Sequence, residues 1–304
     1  MGTIEYSVIY ANQSDRDFKM EIDSLLEEFN LSLNHYLSDS EISRFNSDSI
    51  FEFKSSFFYE ILEESKIIYE KSGGAFDPTI GSLIQMWGFG TKESFADSSM
   101  VDSLKQFSGF QNIAFNEEKV WKSDLRTQLD FSAIAKGQGV DLLARFLLEN
   151  NIENFFIEIG GEIRCKGFNP DKEDWKIGII DPRSDLLNHK TFAILNISNK
   201  GIATSANNFN YIIKDSIRYV HTIDPASGYP IEHNLLSATV VADKCMTADG
   251  FATAFMVLGL EKSIQIIESH PDLEALLIFN DEEGRIKSYI SAGISNNVKS
   301  LVVK

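Results

Sequence analysis

At 304 residues with 43% apolar side chains, the chain is long enough to bury a substantial core, as one elaborate domain or two. Its 28 Lys and Arg against 45 Asp and Glu leave a formal charge of -17, which repels a nucleic-acid backbone and argues against that class of partner. Two cysteines without paired spacing and five scattered histidines give no zinc cluster or disulfide framework, although a single Cys165–Cys245 disulfide stays open. No apolar run reaches the roughly eighteen residues of a membrane span, and the N-terminus lacks the basic and apolar regions of a signal peptide.

The stretch "GTIEYSVIYA" has strand character, and the spacing of Phe18, Ile22, Leu25, Leu26 and Phe29 predicts a helix over residues 16–34. A second helix is expected over 56–72, with Phe58, Ile61, Leu62, Ile68 and Tyr69 on one side and a stop at Gly73-Gly74. This first half reads as largely helical after one opening strand. "NIAFNEEKVWKS" reads as a hairpin, and "AKGQGVDLLARFLLENN" as a helix feeding the strand "NFFIEIGG". Strands then dominate: "IRCKGF", "WKIGII", "TFAILNIS", "GIATSA", "YVHTID" and "SATVVAD" are rich in β-branched and aromatic residues. The apolar helix "KCMTADGFATAFMVLG", a helix around 261–269 and the strand "LEALLIFN" close the chain. Helices and strands that segregate in runs indicate an α+β fold, with no repeat or Pro-rich linker to mark a boundary, so 1–304 is read as a single elaborate domain.

Several stretches carry more polar and glycine residues than connectors need. Asp249 and Thr253 stand one turn apart on one helix face, where they either cap the local backbone or offer two oxygens to a hard cation. Lys136-Gly137 opens a helix, either as an exposed first turn or as a phosphate-binding end. Asp77-Pro78, within "GGAFDPTIGSLIQMWGFG", either begins a helix or belongs to a site. Glu158 and Glu162 flank the turn at Gly160-Gly161, where paired acids or a plain hairpin rim both fit. "GIATSANNFNY" ends a strand in Thr204, Ser205 and Asn207. His221 lies three residues before Asp224, and a histidine in a strand is either structural or a proton carrier near neutral pH.

Taken in order, these motifs resemble the FAD:protein FMN transferases, the ApbE-type flavin transferase family. The resemblance runs through Met1-Gly2-Thr3, "SEISRFN", "GAFDPTIG", "WGFG", "SAIAKG", "IEIGGEIRCKG", "GIATS", "HTIDPASGYP" and "CMTADGFATAFMVLG". It implies an α+β, tunnelling-fold-like (ApbE-type) architecture with mixed β-sheets and packed helices. It also implies magnesium, with manganese as the alternative, and transfer of FMN from FAD to a threonine of an acceptor flavoprotein with release of AMP. By the same resemblance Asp249, Thr253 and the carbonyl of Ala133 are metal ligands, and Met1, Asn46, Asp77, Lys136 and Thr204 line the FAD site. His221 is the implied proton acceptor; Asp224 is a second candidate base. Ala206 replaces a frequent glycine after "ATS", and Gln138 replaces a commoner aromatic after "KG". The family's motif at Met1 normally follows an export segment, so the native form is expected in the bacterial cell envelope with a lipid tether, cytoplasmic residence being the alternative. Two other readings stay open: a magnesium-dependent FAD pyrophosphatase giving FMN and AMP, and a non-catalytic FAD-binding protein.

Overall fold

A computed structural model describes residues 4–11, 16–89, 99–184, 188, 190–207, 211–214 and 217–301, and the chain sorts into two compact units. The first takes in Lys19–Ala135 and Tyr211–Glu232; the second takes in Ile4–Phe18, Lys136–Asn210 and His233–Lys304. The Met1-Gly2-Thr3 motif and Gly90 of "WGFG" lie outside the described residues.

In chain order the elements begin with β1 (Tyr6–Tyr10), α1 (Lys19–Leu33), α2 (Glu41–Ser47), β2 (Ile50–Glu52), α3 (Ser56–Lys71), α4 (Gly81–Met86) and α5 (Ser99–Lys105). They continue with β3 (Ile113–Phe115), β4 (Lys119–Lys122), α6 (Ala135–Glu149), β5 (Phe155–Ile159), β6 (Glu162–Lys166), β7 (Trp175–Ile180), β8 (Thr191–Ile197) and β9 (Lys200–Ala206). The remainder are β10 (Tyr211–Lys214), β11 (Ile217–Val220), β12 (Leu235–Ala242), α7 (Cys245–Leu258), α8 (Leu260–Ser269), β13 (Glu274–Asn280), β14 (Ile286–Ile290) and β15 (Val298–Leu301).

In the first unit, α1 buries Ile22, Leu26 and Phe29, and α3 buries Phe57, Phe58, Ile61, Leu62 and Ile68, the i, i+3, i+4 stripe of a core-facing helix. Each such side chain contributes roughly 1.5–3 kcal/mol of burial. α3 ends as expected, with Gly73 and Gly74 both at positive φ (63° and 85°) in the turn that follows. The expected hairpin is β3–β4, but β2 joins it to make a three-stranded antiparallel sheet in a region read as helical. A second cluster, Ile80, Leu83, Met86, Trp87, Val101 and Ile223, ties α4 and α5 to the chain after β11.

The second unit is built on a seven-stranded sheet in the order β1-β5-β6-β9-β12-β13-β14 and a smaller sheet in the order β15-β8-β7. Along β7, Trp175, Ile177 and Ile179 are buried while Lys176, Gly178 and Ile180 are exposed, the period of two that marks a strand with one covered face. Those three, with Phe192, Leu195 and Ile197, meet Ile163, Ile202, Val241, Leu276 and Ile278 of the large sheet in one apolar layer. α7 lies against β9 and β12. The fold is α+β, and every ladder among the described strands is antiparallel. β14 and β15 follow the strand at which the sequence reading closes the chain. Cys165 and Cys245 are buried free thiols, so the open question of a disulfide between them resolves against it. No described helix is long and apolar enough to cross a membrane.

Candidate functional site

α7 starts where two glycines let backbones touch. A Cβ on Gly201 of β9 would lie 2.2 Å from the Cys245 nitrogen, and one on Gly137 of α6 would lie 2.6 Å from the Cys245 carbonyl oxygen. Glycine at both positions therefore sets how closely α7 approaches β9 and α6. The residue before α7, Lys244, makes no side-chain cap. Instead Asp141 of α6 accepts from the Cys245 and Met246 amides at 3.0 and 2.9 Å, and it is ion-paired with Arg164 of β6. Burial raises the Asp141 pKa, while Arg164 and the two amides oppose the rise.

Asp249 is buried on α7, and its Oδ2 accepts from the Gly137 amide at 2.9 Å. Its capping bond thus goes to the neighbouring helix, not to its own. Thr253, one turn further on, is half-buried. Lys136, beside Gly137, is half-buried and ion-paired through Nζ with Oε1 of Glu162, the first residue of β6. Burial raises the pKa of Asp249, against the pull of Lys136 and the Gly137 amide. Burial also raises that of Glu162, where Lys136 opposes and Asp249 adds to the rise. For Lys136, burial favours the neutral amine, but Asp249 and Glu162 outweigh it and keep the ammonium.

Asp249 and Thr253 would offer a cation oxygen donors alone, which suit a hard divalent ion and not zinc or copper. Among the described residues no group of three His, Cys, Asp or Glu side chains is arranged for a metal. Asp249 and Thr253 fit a magnesium-type ion that takes its remaining ligands from backbone carbonyls, phosphate and water. Thr204 of β9 is exposed, with its Oγ1 2.8 Å from that of Thr239 on β12. Of the two family departures, Ala206 stands at the end of β9 opposite Ser237, and Gln138 is buried in α6.

The first unit holds the other expected site residues. The Asn46 side chain makes a two-bond clasp with the backbone of Leu129: its Nδ2 donates to the Leu129 carbonyl and its Oδ1 accepts from the Leu129 amide, both at 2.8 Å. Lys122, buried over the Phe45 ring, donates to the Asn46 and Thr127 carbonyls at 3.0 and 2.8 Å. Asp77 is buried and accepts from the Thr79 amide and hydroxyl at 2.8 and 2.6 Å. It shapes a turn ahead of α4 and does not cap that helix, which begins only at Gly81. Burial raises its pKa in spite of those bonds. Ala133 sits in the turn before α6, its residue half-buried.

His221 lies just past the end of β11, not within a strand as the alternation of "YVHTID" implies. Its ring meets Phe89 edge-on at 6.4 Å. The loop that follows is held tightly. Asp224 accepts from the Ala226 and Ser227 amides through Oδ1 and Oδ2, and its own carbonyl accepts from the Gly228 amide at 2.7 Å. Trp87 stacks near Tyr219, packs on Tyr229 and donates its Nε1–H to the Gly228 carbonyl at 2.8 Å.

Two groups escaped the sequence reading. Asp141 and Arg164 are brought together by the packing of α6 on β6, which no local spacing announces. Tyr36, 64% exposed, lies over His35 at 4.2 Å, and His35 Nδ1 is 4.0 Å from buried Asp130, whose Oδ1 also accepts from the Ser132 amide. The signal available for Asp130 was its place two residues ahead of "SAIAKG" in that motif's own turn.

The family model described as the ApbE family matches residues 1–277. A protein named FAD:protein FMN transferase from Vibrio cholerae serotype O1 is 35% identical over 301 residues, covering 96% of this chain and 89% of its own length. One of the same name from Haemophilus influenzae is 35% identical over 282 residues, covering 90% and 81%. Among solved structures, the flavin transferase ApbE from Vibrio cholerae is similar with a TM-score of 0.86 at 33% identity, covering 96% of this chain and 95% of that one. The apo form of the Pseudomonas stutzeri flavinyl transferase ApbE gives 0.84 at 30% identity, covering 96% and 92%. The chain belongs to the ApbE family.

Proposed function

We infer that this chain is a FAD:protein FMN transferase, taking FAD as substrate and joining its FMN half to an acceptor flavoprotein with release of AMP. The relatives that match almost the whole chain carry that name, and the observation in the molecule that best supports it is the Lys136–Glu162 pair beside buried Asp249. That cluster combines a retained ammonium for a phosphate with a carboxylate for a cation.

The acceptor atom is a threonine hydroxyl oxygen. It attacks the phosphorus on the FMN side; a new P–O bond forms, the bridging P–O bond breaks, and its electron pair leaves with AMP. His221 takes the threonine proton, a role suited to an imidazole near neutral pH. Asp224, with both oxygens engaged by turn amides, holds the loop that presents His221. Asp249 and Thr253, with the Ala133 carbonyl on the family pattern, would hold magnesium or manganese, which offsets charge on the phosphoryl oxygens when bound. Lys136, Asn46, Asp77 and Thr204 are the FAD contacts of this reading, with Met1 beyond the described residues. The same reading expects work at the bacterial cell envelope beside a lipid tether; fractionation of cells expressing the native gene product separates this from the cytoplasm.

The test is to incubate the protein with FAD and magnesium, with and without a redox-complex subunit bearing a threonine motif, and to follow AMP and covalent flavin fluorescence. Fluorescent acceptor with matched AMP is the expected result. AMP alone, with no labelled acceptor, points to a pyrophosphatase, and intact FAD points to a carrier.

A further inference from the structure

Glu162 has an odd arrangement of bonds. It is 2% exposed, Oε1 meets Lys136, and Oε2 is buried with no hydrogen-bond partner. A carboxylate oxygen withdrawn from water without a partner is costly, so a plain rim acid would turn outward. The β5–β6 turn keeps it inside. Gly160 and Gly161 both have positive φ, 59° and 102°, which suits a two-residue hairpin and sets Glu162 opposite Ile159. A Cβ on Gly160 would lie 3.5 Å from Lys136 Cδ and 3.9 Å from Glu162 Oε2, so the lysine stem and the acid run together past a bare Cα.

Asp249 Oδ2 accepts from the amide of the residue next to Lys136, Gly137, at 2.9 Å, and its charge favours the ammonium. Among the described residues the ion-pair partner of Lys136 is nonetheless Glu162. A lysine flexible enough to reach Asp249 would neutralise the carboxylate and compete with any cation for it.

We propose that Glu162 is a positioning residue that holds the Lys136 ammonium close to Asp249 and yet off it, so that one group stays free for a cation and the other for a phosphate. This rests on the reading of Asp249 as a cation ligand. It predicts an effect that is undone by a second mutation. In Glu162→Gln the released lysine pairs with Asp249 and weakens cation binding, and Lys136→Met added to it restores binding because no ammonium is left to compete.

The experiment is titration of the whole protein with Mn2+ alone, without FAD, read by electron paramagnetic resonance. Thermal melts confirm that each variant is folded. Glu162→Gln is expected to weaken Mn2+ affinity roughly tenfold, and the double variant Glu162→Gln/Lys136→Met to return to within about twofold of wild type. Lys136→Met by itself is expected to bind Mn2+ no more weakly than wild type, a result that stands even if Glu162→Gln does not fold. Unchanged affinity in Glu162→Gln, a double variant as weak as Glu162→Gln, or weakened binding in Lys136→Met would overturn the proposal. Asp249→Asn separates the two levels. If it binds Mn2+ like wild type, the cation reading of Asp249 fails; if it loses binding while Glu162→Gln does not, only the role given to Glu162 fails.

Discussion

The charged cluster of the second unit and the His221 loop of the first are held by different means. Lys136 stands at the start of α6, Glu162 at the start of β6 and Asp249 in the second turn of α7, and their positions follow from charge and burial within regular elements. His221 sits on irregular backbone, and what fixes it is a set of turn hydrogen bonds at Asp224 and an aromatic packing at Trp87 and Phe89. A charge network tolerates few substitutions in identity but is indifferent to small shape changes. A packed loop behaves the opposite way, so the two regions should fail differently when altered.

The largest effect is expected at Asp249. Asp249→Ala should bring magnesium-dependent AMP release down to background while leaving a folded protein, as circular dichroism would show; full turnover with magnesium would remove Asp249 from the metal site. His221→Ala comes next, with kcat lower by roughly 10²–10⁴-fold and FAD affinity retained. A rate unchanged across neutral pH would take His221 out of the mechanism. Lys136→Ala should instead raise the Kd for FAD by roughly 10–100-fold, the size of a lost charge-assisted hydrogen bond, with a smaller change in kcat. Isothermal titration with FAD decides whether that lysine serves binding or structure.

Trp87→Phe tests the loop without touching a charged group. Loss of the Nε1–H bond to Gly228 should lower stability by about 1 kcal/mol in urea denaturation and reduce kcat severalfold, with FAD affinity unaltered. The last expected effect concerns stability alone and is a pH dependence. Burial lowers the Lys122 pKa to about 8, outweighing Asp48 and Asp124, so the unfolded chain holds more protons than the folded one between about pH 8 and the usual lysine range. Stability contributed by this group therefore rises as pH rises through that window. Wild type should gain on Lys122→Met in urea midpoints between pH 8 and 10, and equal slopes for the two proteins would reject the shift.

Much of the fold could be read from periodicity. α3 carries five buried apolar residues at helical spacing, and β7 alternates without exception. β2 could not be read, because three residues are too few to show a period, and its pairing with β4 joins positions about seventy apart in the chain. β11 was read too long because Tyr219 to Ile223 alternates like a strand, whereas the turn built around Asp224 ends it at Val220. At the site, the i, i+4 spacing of Asp249 and Thr253 was visible, and Glu162 was visible only as one of two acids by a hairpin. That it faces inward and meets Lys136 depends on the β5–β6 register and the start of α6, which are long-range facts. Asn46 illustrates the same limit: its clasp spans 83 positions to Leu129, and nothing near Asn46 foretells it.

The first turns of α6 and α7 are each held by a carboxylate from the other helix. Asp141 of α6 serves the first amides of α7, and Asp249 of α7 serves the Gly137 amide of α6. Such reciprocity makes the pair behave as one mechanical part: fraying of either first turn strips a bond from the other, so Asp249 keeps its place only while both are wound. The cluster is thus an integral gauge of local order, and amide exchange at Gly137 and Met246 should slow and quicken in step.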